Sequence, residues 1–209
     1  MKSSSELKFD IIVRDVFHST LKPLGYKKRG NNFYIETSGI GKIINLQKST
    51  FNSKDHISFT INTGVFSPEY WQHYYNFHDK PIPAFPTEPD CILRRRIGRL
   101  LNTRDTWYEI KENTDIGEAK SIQDYNLNSV ILPYFNSVNS NEDLLREINE
   151  GNALSLSPIA KLFMLGKLKR YGEFNFEYKQ LLNRTTMNSL EEAIKEIADR
   201  FNIEVGELE

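Results

Sequence analysis

Hydrophobic residues near the amino terminus recur every three or four positions. Phe9, Ile12, Val16 and Phe17 belong to this series, which predicts an amphipathic helix with one apolar stripe. The helix is expected to end before Pro23, because proline disfavours the helical conformation in the residue that precedes it. The first predicted element is therefore a helix that needs an apolar surface to pack against.

Three segments with strand-like patterns follow, at residues 26–36, 42–49 and 56–66. In the third, Ile57, Phe59 and Ile61 alternate with polar residues, which is typical of a strand with one buried side. The short links between the segments favour an antiparallel meander. Residues 91–100 and 106–110 have the pattern of further strands. We expect the first helix to cover these apolar side chains of the sheet: Phe33, Ile35, Ile44, Leu46, Phe59 and Ile61.

A loop rich in proline and aromatic residues spans residues 67–90, and helical patterns dominate after residue 116. Pro68 can open a short helix through Tyr70, Trp71, Tyr74 and Tyr75. The later prolines exclude regular structure, and we expect the loop to pack on the sheet. These prolines are Pro81, Pro83, Pro86 and Pro89. The predicted fold class is α+β: an antiparallel four- to five-stranded sheet packed by an N-terminal helix, followed by a C-terminal helical region. We expect an α+β domain at residues 1–150 and a helical extension docked on it at residues 151–209, or one continuous domain.

Charge and cysteine content restrict the classes of partner. The chain has 27 Lys and Arg against 28 Asp and Glu, a formal net charge of −1, so a general attraction to nucleic acids or anionic membranes is missing. The one cysteine, Cys91, excludes an internal disulfide and a cysteine-based zinc site. Residues 1–10 are polar, and no apolar run approaches the roughly 20 residues of a membrane span. The sequence therefore predicts a cytoplasmic protein without a membrane partner.

No group of residues has the spacing of a catalytic or metal site. His73 and His78 are five positions apart, which does not align two ligands on one helix face, so no metal and no cofactor is expected. Cys91 lies at the start of a predicted strand in phase with Leu93 and Ile97, and is expected to be a buried structural thiol. These features favour a protein that is not an enzyme.

Polar residues share one side of the predicted sheet. Asn45 and Gln47 lie on one face of a strand, and Thr60 and Asn62 lie on one face of the next. If these faces coincide and arginines border them, the surface offers amide and guanidinium groups that suit a carboxylate or a phosphate. The candidate ligand-binding residues are Gln47, Ser49, Asn62, Arg94, Arg96 and Arg99.

Two other interpretations of these residues stay open. The face can simply be solvated, with its arginines paired to acidic residues such as Asp90, Glu109 or Glu112. The basic residues at 27–29 and 94–99, with nearby aromatic side chains, can also form a nucleic-acid surface. No recognised nucleic-acid-binding motif accompanies them, and acidic residues balance their charge. Nucleic acid is therefore not the expected partner.

Four segments of the chain resemble one protein family. They read LKPLGYKKRGNNFY at residues 21–34, INLQKS at 44–49, FTINTGV at 59–65 and RRRIGRL at 94–100. In combination they are similar to the bacterial domain of unknown function 4304 family, over residues 7–150 of this chain. The resemblance implies a fold type and a bacterial cytoplasmic setting, and it implies no activity.

The leading hypothesis is a non-enzymatic binding or interaction module, of the kind that neutralises a protein partner as an immunity protein does. The alternative is an enzyme, or a sensor of a small anion or nucleotide, on the polar sheet face. Its site would use Arg94, Arg96, Gln47 and Asn62. Whether these four side chains converge in a cleft or spread over a wet surface distinguishes the two hypotheses.

Overall fold

The fold is that of a computed structural model, which describes residues 2–74, 80–151 and 157–205. The chain divides into two units, Met1–Asn139, which contains the sheet, and Ser140–Glu209, which is helical. The sequence placed a domain boundary near residue 151, after the helix Asn141–Asn149, whereas the division between the units falls before that helix.

Helices account for most of the described chain outside the sheet. Those of the first unit are α1 (Ser4–Ile12), α2 (Ser19–Leu21), α3 (Pro68–Tyr74), α4 (Ile97–Leu100), α5 (Ile116–Tyr125) and α6 (Leu132–Asn136). Those of the second unit are α7 (Asn141–Asn149), α8 (Ile159–Lys167), α9 (Tyr171–Arg184) and α10 (Asn188–Arg200). Within the described ranges, no helix combines the length and the apolar character needed to cross a bilayer.

Two of these helices continue through wider π-helical turns. The segment Val13–His18 joins α1 to α2, and Asn126–Ile131 joins α5 to α6. Ser3 begins the first long helix through a capping box with Glu6, in which each side chain accepts a backbone N–H of the other residue. The predicted amphipathic helix is thus present and ends as expected, ahead of Pro23.

Six antiparallel strands form the sheet. They are β1 (Lys27–Arg29), β2 (Asn32–Thr37), β3 (Ile40–Lys48), β4 (His56–Phe66), β5 (Leu93–Arg96) and β6 (Tyr108–Lys111). The strand order is β1-β2-β3-β4-β5, and β6 also pairs with β4. Away from β3, β4 pairs first with β6 at residues 56–59 and then with β5 at residues 62–65. The predicted α+β class is confirmed, with one strand more than expected.

The first long helix covers one side of the sheet, as its apolar stripe predicts. Phe9 packs edge-on against Phe59 with ring centroids 5.1 Å apart, and Phe17 stacks on Phe33 at 6.2 Å. All four rings are buried, and each such side chain contributes about 1.5–3 kcal/mol to stability when fully buried. Ile35 is only partly buried. This helix-covered side forms the main core of the first unit.

The opposite side of the sheet is only partly open to solvent. A second apolar cluster packs on it: Tyr34, Ile43, Phe66, Trp71 and Cys91. Gly64 permits this packing, because a Cβ there would lie 2.4 Å from the Cys91 sulfur. The described parts of the loop after β4, residues 67–74 and 80–90, therefore pack on the sheet as expected. The interpretation of this side as simply solvated therefore does not hold throughout, since Thr60 and Asn62 are only 0% and 4% exposed.

The second unit is built around α8. Seven of the nine residues of α8 are buried, and α7, α9 and α10 each pack against it. Phe163 of α8 meets Phe201 edge-on at 5.3 Å. Helix α9 was not among the predicted elements.

Candidate functional site

A row of polar side chains crosses the partly open side of the sheet. Asn32, Asn45 and Asn62 occupy directly paired positions on β2, β3 and β4, and Arg96 of β5 pairs with Asn62. Directly paired residues point to the same face, and neighbouring strands lie about 4.8 Å apart, so the row is about 14 Å long. We name these four residues the amide row.

Hydrogen bonds join the members of the amide row, and each one is donated in the direction from Arg96 toward Asn32. Arg96 Nε donates to Asn62 Oδ1 at 3.1 Å, Asn62 Nδ2 donates to Asn45 Oδ1 at 3.2 Å, and Asn45 Nδ2 donates to Asn32 Oδ1 at 2.8 Å. Gln47, the next residue of β3 on this face, accepts a bond of 2.7 Å from Asn62 Nδ2. Asn62 is buried, Asn45 and Asn32 are half-buried, and Gln47 is exposed. The amide planes are therefore fixed, while groups of the row still reach solvent.

Asp105, Thr106 and Trp107 follow α4, and we name these three residues the latch. Asp105 and Trp107 hold Arg96, and Thr106 binds to the sheet. Asp105 accepts bonds of 2.8 and 2.7 Å from Arg96 Nη1 and one of 3.0 Å from the indole Nε1 of Trp107. The guanidinium carbon of Arg96 lies 5.5 Å from the Trp107 ring centroid. Thr60 Oγ1 donates to the Thr106 carbonyl at 2.7 Å, which closes the latch over the sheet.

The latch changes the titration of Asp105. The hydrogen bonds from Arg96 favour the charged carboxylate and lower its pKa, although partial burial opposes them. At neutral pH, Asp105 is therefore an anion that neutralises Arg96.

Arg94 lies two positions before Arg96 on the same face and is also paired. Its Nε and Nη2 donate to the two carboxylate oxygens of Glu88 at 2.6 and 2.9 Å, in a bidentate arrangement. Glu88 is 7% exposed and belongs to the 3₁₀ turn Glu88–Asp90, which packs over β4. The sequence suggested other acidic partners for the arginines; the ones found are Glu88 and Asp105.

The six predicted site residues separate into two groups. Gln47, Asn62 and Arg96 form one hydrogen-bonded set, with Arg94 beside it. Ser49 and Arg99 lie elsewhere. Ser49 follows β3, where its Oγ accepts from the backbone N–H of Phe51 at 3.1 Å. Arg99 belongs to α4, because the strand predicted at residues 91–100 ends at Arg96 and the chain then turns into a helix.

Among the described residues, no group of three or more His, Cys, Asp or Glu could hold a metal ion. Cys91 is buried, and burial, aided by nearby carboxylates, raises the pKa of its thiol well above the ordinary value. Such a thiol is a poor nucleophile. His73 lies in α3 and is buried, and His78 lies outside the described residues.

The sequence missed several members of this site. Asn32, Glu88, Asp105 and Trp107 were not among the residues that the sequence assigned to the polar face. One signal was available: asparagine is depleted in strands, so Asn45 and Asn62 in strand interiors mark positions where another requirement outweighs propensity.

A concave surface lies elsewhere in the first unit, where the π-helical segment Val13–His18 packs against α5. It has a volume of about 420 Å³, and Asp15, Lys120, Asp124 and Tyr125 are among its lining residues. Asp15 contacts Arg14 at 2.6 Å and Lys120 at 3.2 Å. Because its charged groups already engage one another and the groove is open, it is a weaker candidate than the amide row.

Comparison with known proteins identifies the family and no specific relative. Neither the curated proteins nor the solved structures that were compared contain a match. The family model for DUF4304, a domain of unknown function, matches residues 17–137, a range that includes every segment of the resemblance as well as the amide row and the latch. Since this match covers more than half of the chain, the protein belongs to the DUF4304 family.

Proposed function

We propose that this chain is a binding module that contacts a protein partner through the amide row. The observation that carries the proposal is the continuous hydrogen-bonded series from Arg96 through Asn62 and Asn45 to Asn32. Each amide nitrogen has two hydrogens and each amide oxygen has two lone pairs, so the half-buried amides retain bonding capacity. Groups that are already fixed lose little conformational freedom on binding.

The charge around the amide row favours an uncharged polar partner over an anion. The two guanidinium groups of Arg94 and Arg96 are matched by the carboxylates of Glu88 and Asp105. An anion that bound Arg96 would have to displace Asp105 and leave it beside the new ligand. A peptide backbone, or the side-chain amides of a protein surface, needs no such displacement. This argument supports an interaction module over the alternative of an anion sensor or an enzyme.

The finer part of the proposal concerns the cellular compartment of the protein and its biological role. We place the protein in the bacterial cytoplasm, as the family resemblance implied, with neutralisation of a protein partner as one role for such a surface. That role rests on analogy with other small α+β modules.

Affinity capture with matched variants tests the proposal. Immobilised wild-type chain is expected to retain one stoichiometric protein from the source cells. Gln47→Arg, which adds bulk and charge at the exposed edge of the row, is expected to lose it. Gln180→Arg, the same change on α9 of the helical unit, is the control and is expected to retain it. Failure of the wild type to capture a partner, or equal capture by both variants, would contradict the proposal.

Thermal-shift measurements test the alternative directly. We expect inorganic phosphate, citrate and nucleotides to leave the melting temperature of the wild type unchanged, because the arginines of the site are already paired. A ligand at about 100 times its dissociation constant adds about 2.7 kcal/mol of stability, which such a measurement detects readily. A shift that Arg96→Ala abolishes would favour the anion sensor instead.

A further inference from the structure

An aromatic side chain stands almost wholly in water at the turn between β3 and β4. Phe51 is 93% exposed, the largest exposed fraction among the exposed large hydrophobic residues of the described chain. Phe176 of α9 follows it among the phenylalanines, at 66%. A phenylalanine in this position adds little to the stability of the fold, because burial of its ring is what would stabilise it.

The turn that carries Phe51 is held by several hydrogen bonds. Asn52 closes it from both sides: its Oδ1 accepts from the Ser58 N–H at 2.8 Å, and its Nδ2 donates to the Ser58 carbonyl at 3.1 Å. The Ser53 N–H donates to the His56 carbonyl at 3.0 Å. Ser5 of α1 donates from its Oγ to the Asp55 carbonyl at 2.8 Å, which fixes the turn to the first long helix. Phe51 is therefore displayed from an ordered backbone.

We propose that Phe51 is the apolar anchor of the interface with the protein partner, and that it inserts into an apolar pocket with an acidic rim. This inference rests on the proposed function. An ordered turn that presents one aromatic ring binds with little loss of conformational entropy, and aromatic anchors in pockets supply much of the energy of protein interfaces. Because the turn carries its own hydrogen bonds, nothing in it has to rearrange before contact.

The charged residues beside Phe51 indicate which charge the rim of the partner's pocket carries. Lys48 and Lys54 flank Phe51 in the sequence and are exposed, and Asp55 is the one acidic residue of the segment 48–56. Lys48 Nζ also lies 4.4 Å from the Phe9 ring centroid, which holds that lysine close to the protein surface. Lys54 lies three residues after Phe51 and belongs to the turn itself, and its charge complements an acidic rim on the partner.

A protein pocket suits this geometry better than a lipid surface. One phenylalanine gives only a marginal, about millimolar or weaker, affinity for a bilayer, so a membrane anchor requires several apolar side chains. A pocket needs only one, because surrounding contacts exclude water from it. The occupant we assign is therefore a separate protein.

Quantitative binding of the captured partner to purified variants tests the anchor. Phe51→Ala is expected to weaken binding by about 30-fold or more, as loss of an interface hot spot does. Phe51→Leu, which keeps an apolar group, is expected to lose less than Phe51→Ala. Phe176→Ala is the matched control and is expected to stay within about twofold of the wild type. None of these variants should change the melting temperature by more than about 1 °C, because exposed residues contribute little to stability.

Lys54→Glu tests the acidic rim. We expect weaker binding of the same partner at 50 mM salt, with a smaller difference from the wild type at 500 mM, since salt screens exposed charges (Debye lengths of about 14 and 4 Å). Binding by Lys54→Glu equal to that of the wild type at both salt concentrations would refute the acidic rim.

Several results would overturn the anchor. If Phe51→Ala binds the partner within threefold of the wild type, Phe51 is not the anchor. If Gln47→Arg still loses the partner in that case, the proposed function stands and only this inference is refuted. Phe51-dependent sedimentation with phosphatidylcholine vesicles containing phosphatidylserine would make the occupant a membrane. Phe51-dependent self-association in sedimentation velocity would make it a second copy of the chain. If the wild type captures no partner, both proposals fall.

Discussion

Replacing Gly98 by alanine tests whether the latch is seated on the sheet as the contacts indicate. A Cβ at Gly98 would lie 2.0 Å from the carbonyl oxygen of Arg104 and 2.9 Å from Oγ1 of Thr106. Ordinary contacts begin near 3.4 Å, so the Arg104 carbonyl must retreat by about 1.4 Å. That carbonyl belongs to the backbone directly before Asp105, and a shift there moves the latch away from Arg96.

The expected destabilisation has two sources. Overpacking of this kind typically costs 1–3 kcal/mol. The displaced latch also weakens the Thr60–Thr106 hydrogen bond, worth about 1 kcal/mol, and the exposed Arg96–Asp105 pair, worth less than about 1 kcal/mol. The free energy of unfolding should therefore fall by about 2–4 kcal/mol, which at about 3 °C per kcal/mol lowers the melting temperature by about 6–12 °C.

Gly172→Ala provides a control: the chemical change is the same, and the expected effect on stability has the opposite sign. Nothing lies within 4 Å of a Cβ at Gly172 in α9, and alanine is the better helix former by up to about 1 kcal/mol. Thermal unfolding should therefore show a large loss for Gly98→Ala and no loss, or a small gain, for Gly172→Ala.

The indole N–H resonances give a local readout of the latch. The chain has two tryptophans, and the Trp107 indole donates to Asp105 whereas Trp71 lies in the second apolar cluster. Gly98→Ala should shift the Trp107 resonance, assigned with Trp107→Phe, and leave that of Trp71 in place. A Gly98→Ala protein that melts within 1 °C of the wild type with an unchanged Trp107 resonance would refute the close approach and, with it, the seating of the latch.

Three further predictions concern the core and two charged groups. Phe59→Ala should lower the free energy of unfolding by about 3–5 kcal/mol in denaturant titrations, because its ring is fully buried against Phe9. The lowered pKa of Asp105 means that it stabilises the fold above about pH 4 and loses this effect as pH falls through the lowered value. The stability difference between the wild type and Asp105→Asn, within about 1 kcal/mol for this exposed pair, should therefore vanish between about pH 5 and pH 2. Burial lowers the pKa of Lys42, whose ammonium donates to Asn139 at 2.7 Å, so wild-type stability should rise as pH approaches about 10, and Lys42→Met should abolish that rise. Equal pH dependence of the two proteins would contradict the burial of a charged Lys42.

Elements that are determined by residues close together in the sequence could be predicted from local patterns. The stripe that includes Phe9 and Phe17 identified the first long helix, and the alternation around Phe59 identified β4 and its helix-covered side. Helix α9 escaped prediction because only Phe174 and Tyr178 of its fourteen residues are buried, which leaves a weak periodic signal.

The far side of the sheet could not be predicted, because segments distant in sequence determine it. The buried Thr60 donates a hydrogen bond to the carbonyl of Thr106, which is 46 residues away in the sequence. Cys91 packs directly over Gly64. Strand alternation assigns Thr60 and Asn62 to one face, and it carries no information about what packs on that face. The sequence alone does not show that Asn32 belongs to the amide row, because this depends on the register of β2 with β3.

These distant segments also decide what the polar face can bind. Arg94 and Arg96 come from β5, and taken alone they make the face a site for anions. Glu88 approaches from the loop before β5 and Asp105 from the segment after α4, and each takes one guanidinium. The face is thereby left with amides as its main binding groups, and its selectivity changes from charge to hydrogen-bond geometry. Loss of the Asp105 charge, as in Asp105→Asn, should therefore free Arg96 and give this face a measurable affinity for phosphate. In the proposed function, the carboxylates of Glu88 and Asp105, rather than the arginines, therefore set the class of partner.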